Sequence, residues 1–354
     1  MAIPPITLRD VAQRAGVHAG TASRALNPQT RSLVNVETAQ RVIRVAHELG
    51  YRPNSIARGL KTSRTFTIGV LLPDLTNPLF PPIVRGIEDA LAGAGYTALL
   101  ANSDNDPDKE RLHFETLKAR QVDGFIMATA ERDHPLIEDA IAADVPIVLV
   151  NRTVDGGRAF AVIPDDHKGA VLAVDHLSGL GHTNIAHIVG PERYSTGKSR
   201  HRGFLHAMKD AGLEPDPDII RFTRTFTEDE GARVFRRLLD EDREFTAVFA
   251  GNDLLALGCY DVIAERGVRC PQDISIVGFN DMPFLDKLHP PLTSVRIPHY
   301  ELGVRSAELL FARLRDPSCE PETLLLEPEL VVRGSTSAPG PVAAGARASA
   351  SSGG

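Results

Sequence analysis

Residues 7–27 read Thr7-Leu8-Arg9-Asp10-Val11-Ala12-Gln13-Arg14-Ala15-Gly16-Val17-His18-Ala19-Gly20-Thr21-Ala22-Ser23-Arg24-Ala25-Leu26-Asn27. Two short helical patterns pivot on Gly16, the shape of a helix-turn-helix. Thr7 and Asp10, three apart, fit a capping box in which the Thr7 hydroxyl accepts from the free N–H near Asp10 and the carboxylate reaches back. Leu8, Val11, Ala12 and Ala15 then share one face at helical spacing. Ala12 is small enough for a second helix to cross closely, and Gly16 supplies the positive φ that ends the first helix and turns the chain. Val17, Ala22, Ala25 and Leu26 give the second helix an inward stripe, leaving Ala19, Gly20, Ser23, Arg24 and Asn27 outward for a partner. A helical hairpin inside an ordinary core shares this spacing, so charge has to separate the two.

Residues 1–64 hold ten Lys or Arg against three Asp or Glu, a net of +7. The remainder carries 29 basic and 43 acidic residues, a net of −14, within a whole-chain charge of −7. An acidic body therefore bears a basic head. Such asymmetry suits a polyanion bound at one end, because each phosphate neutralised releases counterions while the acidic body discourages indiscriminate adhesion.

The rest of the composition is that of ordinary globular material, with 354 residues, 42% hydrophobic and 24% charged, enough for a small head and one large or two medium domains. No apolar run approaches the roughly 20 residues of a membrane span. Met-Ala-Ile-Pro-Pro-Ile-Thr at the start lacks the basic opening and apolar core of a secretion signal, so a cytoplasmic protein is expected. Cys259, Cys270 and Cys319 are odd in number, without metal-ligand spacing, and read as reduced buried thiols. Residues 335–354 are rich in Ser, Ala, Gly and Pro and are expected to form a disordered tail.

After the hairpin, Asn35 can cap a third helix with Val36, Ala39, Val42, Ile43, Ala46 and Leu49 as its stripe, stopped at Gly50. In residues 51–64, Ile56 and Leu60 lie four apart beside Arg58 and Lys61, a stripe that a plain linker does not need.

From residue 66 short β-rich runs alternate with amphipathic stretches. Runs at 66–72, 97–100, 124–127 and 147–150 alternate with helices near 79–93, 107–120 and 135–142. A second series at 185–189, 219–222, 247–250 and 274–277 goes with helices near 166–179, 199–211, 228–240 and 253–266. Two blocks of βα units imply two doubly wound parallel-sheet lobes, whose ligands sit at the carboxyl ends of the strands in a shared cleft. The loops there include Asn151-Arg152, Gly251-Asn252-Asp253 and Gly278-Phe279-Asn280-Asp281, full of short amides and carboxylates.

The segments 7–17, 21–27, Gly50-Tyr51-Arg52-Pro53-Asn54 and Ala57-Arg58-Gly59-Leu60 resemble the head and hinge of the LacI/GalR (lactose/galactose repressor) family. Ile68-Gly69-Val70, Asn77-Pro78-Leu79-Phe80, Val122-Asp123-Gly124, Gly181-His182, Arg200 with Gly203-Phe204, Asn252-Asp253, Val277-Gly278-Phe279 and Arg333-Gly334-Ser335-Thr336 resemble its effector domain in order and spacing. The resemblance spans about residues 6–336. It implies an all-α helix-turn-helix head on an α/β body of two doubly wound lobes, periplasmic-binding-protein-like type I. The implied divisions are 1–51 for the head, 52–64 for the hinge and 65–334 for the effector-binding and dimerisation domain. Within that domain, lobe one takes about 65–164 and 297–326, and lobe two about 165–296 and 327–334.

What the family implies is a sugar-responsive transcription factor, a repressor in most members, acting as a homodimer or higher assembly on a palindromic double-stranded DNA operator. Carried over by position, Ala19, Gly20 and Arg24 meet base edges, with Ser23 and Asn27 nearer the phosphates. Thr7, His18, Thr21, Tyr51, Asn54, Ala57 and Leu60 complete the DNA-contacting set, Leu60 being the wedge of a hinge helix in the minor groove. His18 stands where relatives have a capping Ser, so a poorer cap is expected. The effector-binding set is Phe80, Asn151, Arg200, Asn252 and Asn280, amides and a guanidinium for vicinal hydroxyls and an aromatic face for a pyranose. Relatives commonly carry Asp where Asn280 stands, and losing that acceptor makes a phosphorylated or acidic ligand more admissible.

Gly197-Lys198-Ser199 imitates a phosphate loop, but Glu192 stands where that pattern needs Gly. Asp104, Asp106, Asp108 and Glu115 imitate a calcium loop, yet Lys109 stands at its Gly position, and Asp106 capping a helix with Pro107 at the first position fits better. No nucleophile with its base emerges, and neither metal nor cofactor is expected, so the chain reads as a regulator rather than an enzyme. The alternative, a sugar-binding protein of transporter type, shares the two-lobed body but has no use for a basic helical head.

Overall fold

The computed structural model describes residues 6–27, 30–51, 64–241 and 243–340. The chain divides into two compact units, Met1–Phe66 and Thr67–Gly354. The hinge residues Asn54, Ala57 and Leu60 lie outside the described residues.

The first unit holds α1 (Leu8–Arg14), α2 (Ala19–Leu26) and α3 (Val36–Glu48). Thr7 enters α1 through the expected capping box, its side chain facing the Asp10 backbone N–H while its amide and its hydroxyl both donate to Asp10 Oδ2 at 2.7 Å. Those bonds, the backbone one first, hold the Asp10 carboxyl below its ordinary range. Gly16 at φ +64° turns the chain, and Val17 N–H closes on Ala12 O at 2.9 Å. Val11, Ala12, Ala15, Ala22, Ala25, Ala39, Val42, Val45 and Ala46 form the core, six alanines letting three short helices approach closely. Val36 is a correction to the expected stripe: it opens α3 beyond the reach of α1 and α2 and is 71% exposed, while Val45 fills the core instead. Two arginines satisfy helix-end carbonyls. Arg41 Nε donates to Ala15 O at 3.1 Å and Arg31 Nε to Ala25 O at 3.0 Å.

In the second unit the strands are β1 (Thr67–Leu72), β2 (Thr97–Asn102), β3 (Gly124–Met127), β4 (Ile147–Val150), β5 (Phe160–Pro164), β6 (Ile185–Val189), β7 (Ile220–Phe222), β8 (Ala247–Ala250), β9 (Ser275–Asn280), β10 (Thr293–Arg296), β11 (Thr323–Leu326) and β12 (Glu329–Val331). The helices are α4 (Phe80–Gly93), α5 (Pro107–Ala119), α6 (Pro135–Ala142), α7 (Asp166–Gly179), α8 (Ser195–Asp210), α9 (Glu228–Asp240), α10 (Asp253–Arg266) and α11 (His299–Arg315). One sheet runs β11-β5-β4-β3-β1-β2 and is parallel throughout. The other runs β12-β10-β9-β8-β6-β7, with β12 alone antiparallel. Central strands such as β3, β4 and β8 are buried along their whole length, as helices on both faces require.

The chain passes between the sheets three times, from β5 to α7, from β10 to α11 and from β11 to β12. Strands β5, β10, β11 and β12 and helix α11 lie outside the alternation read from the sequence, because these crossovers break the βα rhythm. Helix α8 starts at Ser195, earlier than expected, and Gly197 is inside it. A Cβ on Gly197 would stand 2.3 Å from Pro191 O, so this glycine serves helix packing and not a loop.

The expected disordered tail is corrected at its start. Ser335 is fully buried, receives Thr293 N–H at 2.8 Å and donates to Ile276 O at 2.6 Å. Ser337 accepts from the His182 ring at 2.9 Å through its carbonyl. Ser335 and Ser337 thus close over the amino ends of β9 and β10, because small hydroxyl side chains can satisfy buried backbone groups that bulkier ones would displace.

Candidate functional site

Within the head, α2 carries the face for a partner. His18 is its N-cap, and Nδ1 accepts the Gly20 amide at 3.1 Å, so the imidazole supplies the cap that the missing Ser suggested would be poor. Ala22 and Ala25 point into the core, whereas Ser23 and Arg24 are exposed and Ala19, Gly20, Thr21 and Asn27 half-buried. Thr7 is exposed at the start of α1. Tyr51 is half-buried against the head core, and that burial pushes its hydroxyl pKa up.

In the body, the expected effector residues collect at the carboxyl ends of strands. Phe80 is buried where α4 begins, after β1. Asn151 follows β4 at φ +66°, Asn252 follows β8, and Asn280 ends β9 at φ +114°. All three are at least 97% buried. Arg200 reaches them from α8, with Nε on Asp166 Oδ1 at 2.8 Å, Nη1 on Gly251 O at 2.7 Å and Nη2 on Asn280 Oδ1 at 3.2 Å. Its Cζ lies 3.7 Å from the Phe279 ring centre. Burial pushes Asp166 up to about 6, against the downward pull of Arg200. Of the five N–H donors of a guanidinium these bonds use three, which leaves one on each Nη. Asn252 Oδ1 is committed as the cap of α10, accepting from Leu255 N–H at 2.9 Å.

Four residues outside the expected set complete this neighbourhood: Arg152, Asp166, Thr196 and Phe279. Arg152 is 7% exposed, its Cζ 3.8 Å from the Tyr194 ring centre, and its Nε and Nη1 have no hydrogen-bond partner. Thr196 Oγ1 and Asn151 Oδ1 are likewise buried and unpartnered. Arg152 was signalled only by its place beside Asn151, and Thr196 by standing four residues before Arg200 on one helix. Asp166 carried no such signal, since only the β5-to-α7 crossover brings it to Arg200.

The lobes meet at the same place. Arg132 N–H donates to Arg193 O at 2.8 Å, Arg132 Nη1 to Glu192 O at 3.1 Å, and Thr153 N–H to Ser195 Oγ at 3.0 Å. Beside this contact a cavity of about 270 Å³ opens in the first lobe, reaching Tyr194 but none of the five expected effector residues. Buried Glu110 accepts from Thr129 Oγ1 on its wall, with His134 Nε2 3.4 Å away. Among the described residues no cluster of His, Cys, Asp or Glu is arranged to hold a metal. No described helix is long and apolar enough to cross a membrane.

Residues 7–54 match the family model of bacterial regulatory proteins, lacI family, and residues 174–336 match that of the periplasmic binding protein-like domain. The HTH-type transcriptional regulator DegA of Bacillus subtilis (strain 168) is 36% identical over 94% of this chain and 98% of its own. The structure of the transcriptional regulator CelR–cellobiose complex is similar at TM-score 0.72 and 34% identity, covering 93% of this chain and 99% of that one. The lac repressor dimer bound to operator and the anti-inducer ONPF is similar at TM-score 0.82 and 28% identity, covering 94% and 100%. The chain belongs to the lacI family of bacterial regulatory proteins and is a DNA-binding transcriptional repressor under the control of a small-molecule effector.

Proposed function

We infer that the protein binds a palindromic operator as a homodimer in the cytoplasm, laying α2 in the major groove with Arg24 forked onto a guanine. The observation that carries this reading is the division of α2: Ala22 and Ala25 are spent on the core, while Ser23 and Arg24 stand in solvent within a segment, residues 1–64, of net charge +7. A guanidinium so placed matches the O6 and N7 acceptors of guanine. Asn54, Ala57 and Leu60 are proposed to form the minor-groove hinge, ordered by DNA and dimer together because so short a helix is unstable alone.

The effector is proposed to be of the sugar class, held by Phe80, Asn151, Arg200, Asn252 and Asn280 and not turned over. Buried donors around Arg200, an aromatic side chain nearby and lobes joined by three crossovers support a ligand that closes the lobes and so biases the hinge. A screen of sugars and sugar derivatives by thermal shift, followed by operator titration with each hit, tests this. Ligands that raise the melting temperature should also change operator affinity. Stabilisation with no effect on operator binding, across every hit, would refute effector control through the cleft.

A further inference from the structure

The polar groups of the cleft are unequal in kind. Arg152 offers Nε and Nη1 with no protein acceptor, and Arg200 keeps two N–H groups after its three bonds. Asn252 and Asn280 have spent their amide oxygens on Leu255 N–H and Arg200, leaving their NH2 groups to donate. Against these donors, the buried acceptors without a partner are Asn151 Oδ1 and the Thr196 hydroxyl, and Asp166 engages Arg200 through Oδ1 alone, which leaves its second oxygen.

Charge is unequal in the same direction. Two guanidiniums are buried here, and the one carboxylate that meets either is Asp166, on Arg200 Nε. Other acids close by are already engaged: Asp155 with Arg132, Glu131 with Arg193, and Asp253 with Ser294 Oγ and Met282 N–H. Asn151 and Asn280, either of which as Asp would balance the second cation, are neutral. A buried, hydrogen-bond-deficient guanidinium is costly unless something answers it. The Tyr194 face does so only in part, since a π-face accepts no N–H in the ring plane of the guanidinium. Desolvation, the largest cause, lowers the Arg152 pKa and the charges of Arg200 and Arg193 add to it, while Tyr194 opposes them through its charge and a side-chain hydrogen bond.

Geometry brings the two cations together where the lobes meet, Arg152 from the end of β4 in the first lobe and Arg200 from α8 in the second. Thr196 and Arg200, one turn apart on α8, are buried on the same face, and Thr153 N–H on Ser195 Oγ draws the Arg152 strand end against the first turn of that helix. We propose that the effector is anionic, a polyol or pyranose bearing one carboxylate or phosphate group, with the anion received by Arg152 and the hydroxyls by Arg200, Asn252, Asn280 and Asn151. This rests on the cleft being the effector site and deepens that reading to a ligand class.

The test is calorimetry on the full chain with matched pairs: gluconate against glucose, glucose 6-phosphate against glucose, ribose 5-phosphate against ribose, and inorganic phosphate alone. The expected result is that at least one anionic sugar binds more than tenfold tighter than its neutral partner and than phosphate, the sugar acid and sugar phosphate arms telling which anion is used. Arg152→Gln should abolish that preference and Arg152→Lys should restore part of it. Because Nε and Nη1 have no protein partner, Arg152→Gln should not lower the melting temperature. No anionic sugar exceeding its neutral partner, or a preference unchanged in Arg152→Gln, overturns the proposal. A neutral sugar that binds tightest and alters operator affinity would leave the effector cleft standing while removing the anion. Binding of any of these ligands without effect on operator affinity would instead remove the cleft as a control site.

Discussion

The Gly20 amide hydrogen is held by Nδ1 of His18 at 3.1 Å, so helix α2 of this protein is capped by an imidazole. A Cβ on residue 20 would come 3.3 Å from that same Nδ1, tighter than ordinary contact. The ring and the glycine therefore form a matched pair, one filling the space the other leaves. The cap costs the chain a glycine inside a helix, about 1 kcal/mol relative to Ala.

His18→Ala should loosen the first turn of α2, since loss of an N-cap costs roughly 0.5–2 kcal/mol. Hydrogen exchange at the amides of Gly20 to Ala22 reads this directly. Protection unchanged from wild type would mean that the imidazole contact adds nothing.

Arg24→Ala should weaken operator binding by roughly 1–3 kcal/mol and relax preference at one base pair in each half-site. Selection from a randomised operator library at fixed salt checks both, and an identical sequence profile would take Arg24 out of the readout.

Leu60→Ala should lower affinity for the operator more than for random DNA, because a minor-groove wedge acts only where the central step opens. Equal losses on both DNAs would reduce the hinge to a tether.

Arg200 and Asp166 are each about 97% buried and bonded at 2.8 Å, so removing one strands the other. Arg200→Met alone should destabilise the body by about 3–5 kcal/mol, whereas Arg200→Met with Asp166→Leu should recover most of that. With its pKa already pushed up to about 6, Asp166 protonates as pH falls. The destabilisation of the single variant should therefore be larger at pH 8 than at pH 5. Denaturation at the two pH values checks the sign. The double variant should bind no effector, which calorimetry reads.

His187 is fully buried against Phe204 and Phe249, with ring centres 4.4 and 4.9 Å away, and its Nδ1–H donates to Phe249 O at 2.9 Å. Burial pushes its pKa down to about 3, far below an unfolded histidine. The unfolded chain thus takes up a proton that the folded one refuses, and the stability tied to His187 is present above about pH 6.5 and lost as pH falls towards 3. His187→Asn, which keeps a donor near Phe249, should be less stable than wild type at pH 7, and that gap should shrink on acidification by up to about 1.4 kcal/mol per pH unit. A gap constant from pH 7 to pH 4.5 would contradict the buried neutral ring.

Much of this molecule was legible in local pattern. The helix-turn-helix could be read because its capping, its glycine turn and its alanine stripe are all written within one turn of the residues they serve. Strands β3, β4, β6 and β8 were legible because apolar runs between turn signals need no partner to be recognised. The His18 cap was not, since imidazole is an uncommon cap and only the backbone angle at residue 18 aims Nδ1 at Gly20. Val36 misled because periodicity gives a face without saying how far along the helix its partners extend.

The sequence by itself therefore determined the helices and strands that keep the βα rhythm, that the head is basic and the body acidic, and which loops end most of the parallel strands. Tertiary structure decided what those loops hold. Asp166 meets Arg200 across 34 residues, and Arg200 meets Asn280 across 80, because α7 and α8 pack side by side at the carboxyl end of β9 in the second lobe. Likewise Arg152 differs from other arginines by what fails to face it, and a missing partner is a property of the packed interior that no spacing along the chain can record.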